Sequence, residues 1–241
     1  MIKLGISGFC GKMGQRVFTL AQNDKSFKVV LGLENKDHPQ NNKVISGVKV
    51  TNDAEEIRHC DCLIDFSSPQ ALTANIRYLS EFKKSAVIGT TGLAEADLKH
   101  LKAAAKIIPI VFSPNMSIGV NLLFRLLKEA AGVLKGYQAK IEETHHVHKK
   151  DAPSGTAKEI AKIINQQGFK LEIKDIVSKR QGEVVGDHKI IFESNVDKLE
   201  LFHSAKTRDI FAQGALAAVR WVVGKPAGLY SMEDVLGTGP A

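Results

Sequence analysis

The sequence predicts an α/β fold in two domains, a larger one with a parallel sheet and a smaller α+β one with an antiparallel or mixed sheet. Two observations predict the larger domain: short β-branched runs alternate with amphipathic stretches, and these stretches are long enough to connect parallel strands. The smaller domain is predicted because strand-like runs then follow one another with a single helix among them. The predicted domains are 1–117, completed by about 212–241, and 118–211.

The first half of the chain is predicted to alternate strand and helix. Strands are predicted at Ile2–Ser7, Lys28–Leu33, Cys62–Phe66, Ala86–Ile88 and Ile107–Phe112. The stretches between them carry apolar residues three and four positions apart, as at Met13, Val17, Leu20 and Ala21, which is the spacing of an amphipathic helix. This alternation is typical of a doubly wound sheet with helices on both faces.

The second half follows the helical run GVNLLFRLLKEAAGVL. Strands are predicted at 137–147, 172–180, 187–193 and 198–205, with one helix at about Ala157–Gln166. An apolar, alanine-rich segment from about Arg208 to Gly224 predicts a buried helix that packs back on the first domain.

Composition and charge narrow the classes of function. The chain of 241 residues is 44% apolar and 24% charged, and no apolar run approaches the roughly 20 residues of a membrane-spanning helix. No secretory signal is visible at the start, and the three cysteines lack CxxC spacing, so we expect a cytoplasmic protein with reduced thiols. The net charge of +7 is spread along the chain, which favours anionic small molecules over nucleic acid.

A glycine-rich turn follows the first strand. In GFCGKMG the residues Gly8, Gly11 and Gly14 are three apart, and such a turn lets backbone N–H groups approach a pyrophosphate at the N-terminus of the next helix. Cys10 stands where the usual GxGxxG pattern has its middle glycine, so the interpretation depends on the strand before and the helix after. A glycine-rich turn without a ligand is the alternative.

Glu34 is a second indication of a dinucleotide. It ends the second strand, 20 residues after Gly14, where an acid hydrogen bonds the adenosine ribose. An acid repels a 2′-phosphate, and Lys36 is the nearest compensating cation, which favours NADH over NADPH and leaves dual use open. The loops GTTG at 89–92 and SPNMS at 113–117 follow later strands and are expected to border the nicotinamide.

A basic segment in the second half predicts a catalytic site. EETHHVHKKDAPSGTAKE places His145 and Lys149 on one face of either a strand or a helix. A histidine supplies a proton near neutral pH and a lysine holds an anion, so the pair suits the reduction of an anionic imine or carbonyl compound. Along an extended strand the two would stand about 13 Å apart, so the chain must bend near Lys149 if both act.

The same segment ends in a predicted helix start. Ser154 is one candidate N-cap, and a capping box of Thr156 with Glu159 is the other. In either case the N–H groups of Gly155 and Thr156 lie near the positive end of the helix, which suits a carboxylate. Zinc is the alternative for the three histidines, but HHxH lacks the spacing of known zinc sites, so no metal is expected.

Together these motifs resemble the dihydrodipicolinate reductase family of lysine and diaminopimelate biosynthesis. The resemblance spans nearly the whole chain and rests on GISGFCGKMG, VIGTTG, SPNMSIGVN, EETHHVHKKDAPSGTA, GEVVGDH and HSAKTRDIFAQGALAAVRW. It implies a Rossmann-type N-terminal domain and a substrate domain whose open mixed sheet assembles a homotetramer in many members. It also implies the reduction of 4-hydroxy-tetrahydrodipicolinate, a cyclic dicarboxylate imine precursor, to tetrahydrodipicolinate with NADH or NADPH.

The resemblance implies roles for individual residues. His145 is the expected proton donor and Lys149 the second catalytic residue. The expected substrate-binding residues are His146, Ser154, Gly155 and Thr156. The expected cofactor-binding residues are Gly8, Phe9, Cys10, Gly11, Lys12, Met13, Glu34, Gly89, Thr90, Thr91, Ser113, Pro114, Asn115, Met116, Arg208 and Phe211. Asn35 stands where some members have arginine, which disfavours strong NADPH use, and the segment from Gly168 to Gly182 is shorter than in many members.

Three other functions stay open. A different NAD-dependent dehydrogenase, for example one acting on an amino acid, would use the same kind of cofactor domain. A non-catalytic dinucleotide sensor is less favoured, because a sensor needs no proton donor. A nucleic-acid binder is the most remote alternative.

Overall fold

The computed structural model describes residues 1–237 and divides the chain into two compact units. Unit 1 comprises Met1–Ser117 together with the segment that begins at Phe211, and unit 2 comprises Ile118–Ile210. The predicted α/β class is confirmed, since unit 1 has a large, mostly parallel sheet and unit 2 a smaller mixed sheet. Within residues 1–237 no helix has both the length and the apolarity to span a membrane.

The described residues contain twelve strands, seven α-helices and two short 3₁₀ helices. The strands are β1 (Ile2–Ser7), β2 (Phe27–Leu33), β3 (Val44–Ile45), β4 (Val48–Thr51), β5 (Cys62–Asp65), β6 (Ser85–Ile88), β7 (Pro109–Phe112), β8 (Gln138–His145), β9 (Val177–Arg180), β10 (Gly186–Glu193), β11 (Lys198–Ala205) and β12 (Gly228–Tyr230). The helices are α1 (Lys12–Gln22), α2 (Pro69–Glu81), α3 (Glu95–Ala104), α4 (Ile118–Val133), α5 (Gly155–Gln166), α6 (Asp209–Val222) and α7 (Met232–Val235).

The sheet of unit 1 has the strand order β12-β7-β6-β5-β1-β2-β4-β3. Its neighbouring strands are parallel except for the β3–β4 pair. The chain places β2 on one side of β1 and later places β5 on the other side, so the strand order reverses at β1. Open α/β sheets bind ligands beyond the carboxyl ends of their strands at such a reversal. The turn after β1 therefore lies where a ligand is expected.

The two faces of this sheet bury separate apolar cores, because successive residues of a strand point to opposite faces. One core contains Ile64 of β5 together with residues of α1 and α6. The other contains the preceding residue, Leu63, together with residues of α2 and α3. The alanine-rich helix predicted from Arg208 to Gly224 is α6, and its residues Ala215 and Val219 are completely buried in the first core.

Unit 2 is built on a four-stranded sheet in the order β11-β10-β8-β9. Strand β8 runs antiparallel to β10 and parallel to β9. Helices α4 and α5 cover one face, where Ile160 and Ile190 are fully buried. The other face carries ion pairs between strands, such as Lys140 with Glu193 at 3.1 Å, and the ring of Phe202, which is 62% exposed.

Two strands of unit 2 are shorter than predicted, each for a local reason. The segment that begins at Glu172 starts with a 3₁₀ turn, because the Asp175 carboxylate accepts the N–H of Glu172 at 3.1 Å. Strand β8 ends at His145 instead of residue 147, because the N–H of Lys149 donates to the carbonyl of His146 at 3.1 Å and closes a turn. The chain therefore bends between His145 and Lys149.

Candidate functional site

The turn between β1 and α1 is so tight that two of its glycines leave no room for a side chain. Gly8 has a φ of +72°, and a Cβ there would lie 2.5 Å from the carbonyl oxygen of Phe66. A Cβ on Gly14 would lie 2.1 Å from the carbonyl oxygen of Gly8, so α1 approaches the turn within backbone contact. The N–H groups of Gly8 and Phe9 both donate to the carbonyl of Leu33, which joins the turn to the end of β2.

Helix α1 begins at this turn without a side-chain cap. Gly11 is the N-cap, and the first helical turn contains the exposed Lys12 and no acidic residue. The Glu34 carboxylate accepts the N–H of Cys10 at 2.8 Å and that of Asn35 at 2.9 Å, which holds the acid beside the turn. The start of α1 and Glu34 fit a dinucleotide, because the N–H groups of a first helical turn have no acceptor within the helix and suit a pyrophosphate, and a carboxylate suits a ribose.

Several predicted cofactor residues turn their side chains into the core of unit 1. Phe9 is fully buried, with its ring centroid 5.0 Å from that of Phe18. The hydroxyl of Thr90 donates to the carboxylate of Asp65 at 2.6 Å, and Met116 is 1% exposed. The side chains of Phe9, Thr90 and Met116 are therefore shielded from a ligand.

A buried polar network around Asp65, which the sequence analysis missed, joins β1, β5, α2 and the loop after β6. The fully buried Asp65 carboxylate accepts the hydroxyls of Thr90 and Ser67, each at 2.6 Å, and the amide of Asn75 at 2.9 Å. Asn75 also donates to the hydroxyl of Ser7 at 2.9 Å. The sequence could have indicated this network, because a carboxylate that ends an apolar strand is expected to be buried and a buried charged group requires hydrogen-bond partners.

The two predicted nicotinamide loops are shaped by different contacts. A Cβ on Gly89 would lie 2.2 Å from the ring of Phe66, so the GTTG loop passes close over that ring. In the SPNMS loop the hydroxyl of Ser113 donates to the carbonyl of Asn115 at 2.7 Å. The exposed residues of these loops include Thr91 and Pro114.

The remaining predicted cofactor residues lie in different surroundings. Met13 and Phe211 are partly buried against the core that contains Ile64. Arg208 is exposed, precedes α6 and belongs to unit 2. The role of Arg208 and Phe211 at the nicotinamide stays a prediction.

In unit 2 the end of β8 carries ionisable side chains on the helix-covered face of the sheet. Glu143 and His145 are two residues apart on β8 and therefore point to the same face. The register places His188 of β10 opposite Glu143, and Arg180 of β9 opposite His145. A Cβ on Gly186 would lie 2.9 Å from Nε2 of His145, so the missing side chain makes room for the imidazole.

The carboxylate of Glu143 connects His145 to Arg180. One oxygen, Oε2, contacts Nδ1 of His145, and the other accepts from Nη1 of Arg180 at 3.0 Å. Burial raises the pKa of Glu143, but hydrogen bonds and the positive charge of Arg180 outweigh burial and hold that pKa below its usual value. Burial lowers the pKa of His145 below its usual value, although the Glu143 charge opposes this.

The turn after β8 carries Lys149 into the same electrostatic environment. Its carbonyl accepts from Nε of Arg180 at 3.3 Å, and its ammonium contacts the Asp151 carboxylate at 2.8 Å. The hydrogen bond from Lys149 is the main cause that lowers the pKa of Asp151. After burial and the opposing effect of Glu143, the charge of Lys149 also contributes to the lowered pKa of His145. Arg180 therefore links the backbone of Lys149 to the Glu143 carboxylate that contacts His145.

Ser154 is the N-cap of α5, which decides between the two candidates. Its Oγ accepts the N–H of Ala157 at 3.2 Å and lies 3.3 Å from Nε2 of His188. Thr156 is instead in the first helical turn. A Cβ on Gly155 would meet nothing within 4 Å, so there is open space beside the first residue of the helix. The positive end of the helix dipole at this turn suits an anion.

The other histidines of this region differ in burial. His188 is 4% exposed, and burial lowers its pKa to about 4, so the ring is neutral near pH 7. Its ring lies edge-on to that of His145, with 5.3 Å between centroids. Nδ1 of His146 is buried and has no hydrogen-bond partner among residues 1–237. His148 is exposed. Binding of substrate by His146 stays a prediction.

Glu143, His145 and His188 are close enough together to hold a metal ion. Ligand atoms of Glu143, His145 and His188 lie within 4.8 Å of one another. However, Arg180 already binds the Glu143 carboxylate, and Lys149 adds positive charge nearby, which opposes a cation. The arrangement is better suited to holding and moving a proton near an anion.

Sequence comparisons match both units to known proteins. The family description "Dihydrodipicolinate reductase, N-terminus" matches residues 2–116, and "Dihydrodipicolinate reductase, C-terminus" matches residues 119–236. A 4-hydroxy-tetrahydrodipicolinate reductase of Caldanaerobacter subterraneus subsp. tengcongensis is 40% identical over 99% of this chain and 100% of its own. One from Aquifex aeolicus is 38% identical over 98% of this chain and 99% of its own.

Solved structures show the same fold. A dipicolinate-bound dihydrodipicolinate reductase from Paenisporosarcina sp. TG-14 has a TM-score of 0.83 and 24% identity, and the match covers 96% of this chain and 97% of that one. A probable dehydrogenase from Thermotoga maritima has a TM-score of 0.66 and 12% identity over 98% of this chain and 93% of its own. At these identities the likeness concerns the fold alone.

Proposed function

Because the chain belongs to the dihydrodipicolinate reductase family, we propose that it reduces 4-hydroxy-tetrahydrodipicolinate to tetrahydrodipicolinate with a pyridine nucleotide. This reaction is a step of diaminopimelate and lysine biosynthesis, for which a cytoplasmic location is expected. The observation that best supports the proposal is the bend after β8, where Arg180 binds both the carbonyl of Lys149 and the carboxylate that contacts His145. The proposed reaction requires a proton donor for the departing hydroxyl and a cation near the carboxylates of the substrate.

The two units offer groups for the two ligands. In unit 1 the uncapped N-terminus of α1 and the Glu34 carboxylate would hold the nucleotide, which supplies a hydride when bound. In unit 2 the N-terminus of α5, with Gly155 and Thr156 in its first turn, would bind one substrate carboxylate. Lys149 would then neutralise negative charge on the substrate.

His145 is the proposed source of the proton. The reaction adds a hydride to the ring and releases the hydroxyl group as water, and a departing hydroxyl needs a proton. Burial disfavours the protonated imidazole in the free protein. A dianionic substrate beside the ring would favour that form again, because a nearby negative charge stabilises a cation.

The cofactor preference is proposed to lean toward NADH. The support is Glu34, whose carboxylate is held beside the turn by the N–H groups of Cys10 and Asn35. A fixed carboxylate at this place repels a 2′-phosphate. The ratio of kcat/KM for the two nucleotides measures this, and a clear preference for NADPH would contradict it.

We also propose a homo-oligomer, with a tetramer as the expected state. The support is the face of the unit 2 sheet opposite α4 and α5, where Phe202 is 62% exposed on a surface of charged side chains. Aromatic side chains are enriched at protein interfaces, so an exposed ring on this face suits contact with a second copy. Light scattering after size exclusion measures the mass, and a monomer at micromolar concentration would contradict the expectation.

The proposed function is tested by following nucleotide oxidation with freshly generated substrate. We expect turnover by the wild type, and pyridine-2,6-dicarboxylate, a planar analogue, should inhibit it. His145→Gln and Lys149→Ala should bind nucleotide normally and lose most of the turnover, whereas His148→Gln, at an exposed neighbouring position, should retain it. Near-normal rates in either of the first two variants would remove that residue from the mechanism. Turnover with an amino acid instead would favour a different dehydrogenase.

A further inference from the structure

Two ion pairs join β8 to β9 on opposite faces of the sheet of unit 2. Glu143 and Arg180 form the pair on the helix-covered face, where the Glu143 side chain is completely buried. The neighbouring residues Glu142 and Lys179 form the pair on the other face, where their side chains are 36% and 56% exposed. Burial of an ion pair is unfavourable because both charges lose their hydration, so joining two strands does not explain why this pair is buried. Only the buried pair contacts a proposed catalytic residue.

We infer that Glu143 and Arg180 are positioning residues for the proposed reaction. Glu143 fixes the tautomer of His145 that carries its proton on Nδ1, and Arg180 keeps Glu143 ionised and oriented. An ionised carboxylate only accepts hydrogen bonds, so the ring nitrogen that faces it must carry a hydrogen. Nε2, the other nitrogen, is not engaged by Glu143 and lies beside Gly186, whose missing side chain makes room for it. Nε2 is thereby the atom that exchanges a proton with the substrate, and the inference rests on the proposed function.

Arg180 also holds the loop that carries Lys149. Its Nε donates to the carbonyl of Lys149 at 3.3 Å, and its Nη2 donates to the carbonyl of Asp151. The same guanidinium binds Glu143 through Nη1. One planar group with five donors thus sets the orientation of His145, through Glu143, and the position of the Lys149 backbone.

The charged groups around His145 determine the sign of the expected pH effect. These charged groups are Glu143 from its own strand, Arg180 from β9, and Lys149 and Asp151 from the loop, while the titratable His188 from β10 is neutral near pH 7. Glu143 brings its negative charge into direct contact with the imidazole. Removing that charge lowers the pKa of His145 further, so the protonated form is lost at lower pH. The alkaline limb of the kcat profile should move to lower pH.

The test compares Glu143→Gln with Glu142→Gln, which makes the same change one residue away on the opposite face. We expect Glu143→Gln to lower kcat by roughly 100-fold, the low end for general acid–base catalysis, and to move the alkaline limb to lower pH. Nucleotide affinity, measured by fluorescence titration, should stay unchanged. Glu142→Gln should match the wild type in all three measurements. An unshifted limb in Glu143→Gln would overturn the inference, whether or not kcat falls.

A second measurement needs no variant. Nitrogen-15 NMR of the wild type should show the neutral His145 ring with its hydrogen on Nδ1, and the opposite tautomer would overturn the inference. Arg180→Lys, which keeps a charge beside Glu143, should lie closer to the wild-type pH profile than Arg180→Met, and equal profiles would count against the role of Arg180. If the wild type turns over no substrate, the proposed function fails, whereas the tautomer is measured independently of turnover.

Discussion

One added methyl group at Gly186 is expected to displace the imidazole of His145. A Cβ there would lie 2.9 Å from Nε2 and 3.3 Å from Cδ2 of that ring. Favourable non-bonded contacts lie at about 3.5 Å or beyond, so the ring must move by roughly half an ångström. It cannot do so freely, because Glu143 contacts Nδ1 and the ring of His188 lies edge-on beside it.

The cost of Gly186→Ala in stability should be modest and its cost in rate larger. Overpacking of a filled site costs about 1–3 kcal/mol, and we expect the lower end because the clash involves a side chain. A loss of about 1 kcal/mol corresponds to roughly 2–4 °C in Tm for a chain of this size. Misplacing a catalytic group by about 1 Å costs up to about 100-fold in rate, so a shift of half that size should lower kcat by roughly 10-fold.

The assay for Gly186→Ala is kcat at saturating substrate, with Tm measured on the same preparation. Gly132→Ala on α4 is the matched control, since its Cβ would lie 3.6 Å from the nearest atom, Oε1 of Gln167. Alanine is the better helix former, so the control should keep the wild-type kcat with an equal or slightly higher Tm. A wild-type kcat and Tm for Gly186→Ala would refute the placement of the imidazole against β10.

Three further predictions follow from buried or fixed charges. Asn75→Ala removes a hydrogen bond to Asp65 and one to Ser7, so the free energy of unfolding in urea should fall by about 1–3 kcal/mol, and an unchanged midpoint would contradict this. His188 has a pKa of about 4 when folded and 6.5 ordinarily, so protonation favours the unfolded chain between these values. The free energy of unfolding should fall by up to about 3 kcal/mol as the pH drops through that range. His188→Gln should make the free energy of unfolding less dependent on pH, and the same pH dependence in the variant would contradict this prediction. Glu34→Gln removes a fixed negative charge, so the preference for NADPH over NADH in kcat/KM should rise by about 10-fold, and a constant ratio would rule out the assigned role.

The fold was predictable where the pattern was long and regular. The period of apolar residues located α1, and the alanine-rich stretch located α6. Strands β3 and β12 lie at the two edges of the sheet and have only two and three residues. Segments this short have too few residues for a periodic pattern to predict them. The end of β8 was also missed, because the hydrogen bond from Lys149 to His146 overrides the β-branched run.

The candidate site was predictable where its residues are neighbours in the chain. His145, Lys149 and Ser154 fall within ten residues, and the requirement for a bend between the first two followed from strand geometry alone. Glu143 could have been found from its position two residues before His145, on the same face of a strand. Arg180 could not, because its position depends on the register between β8 and β9, which the local sequence does not encode.

Transfer of deuterium from labelled nucleotide to product tests the proposed reaction most directly. Reduced nucleotide carrying two deuterium atoms at C4 of the nicotinamide would be incubated with the protein and freshly generated 4-hydroxy-tetrahydrodipicolinate, and the product analysed by mass spectrometry. We expect tetrahydrodipicolinate that contains one deuterium atom per molecule, formed at a much lower rate by His145→Gln. A product without deuterium would contradict the proposed reaction, and so would the absence of product while the nucleotide stays reduced.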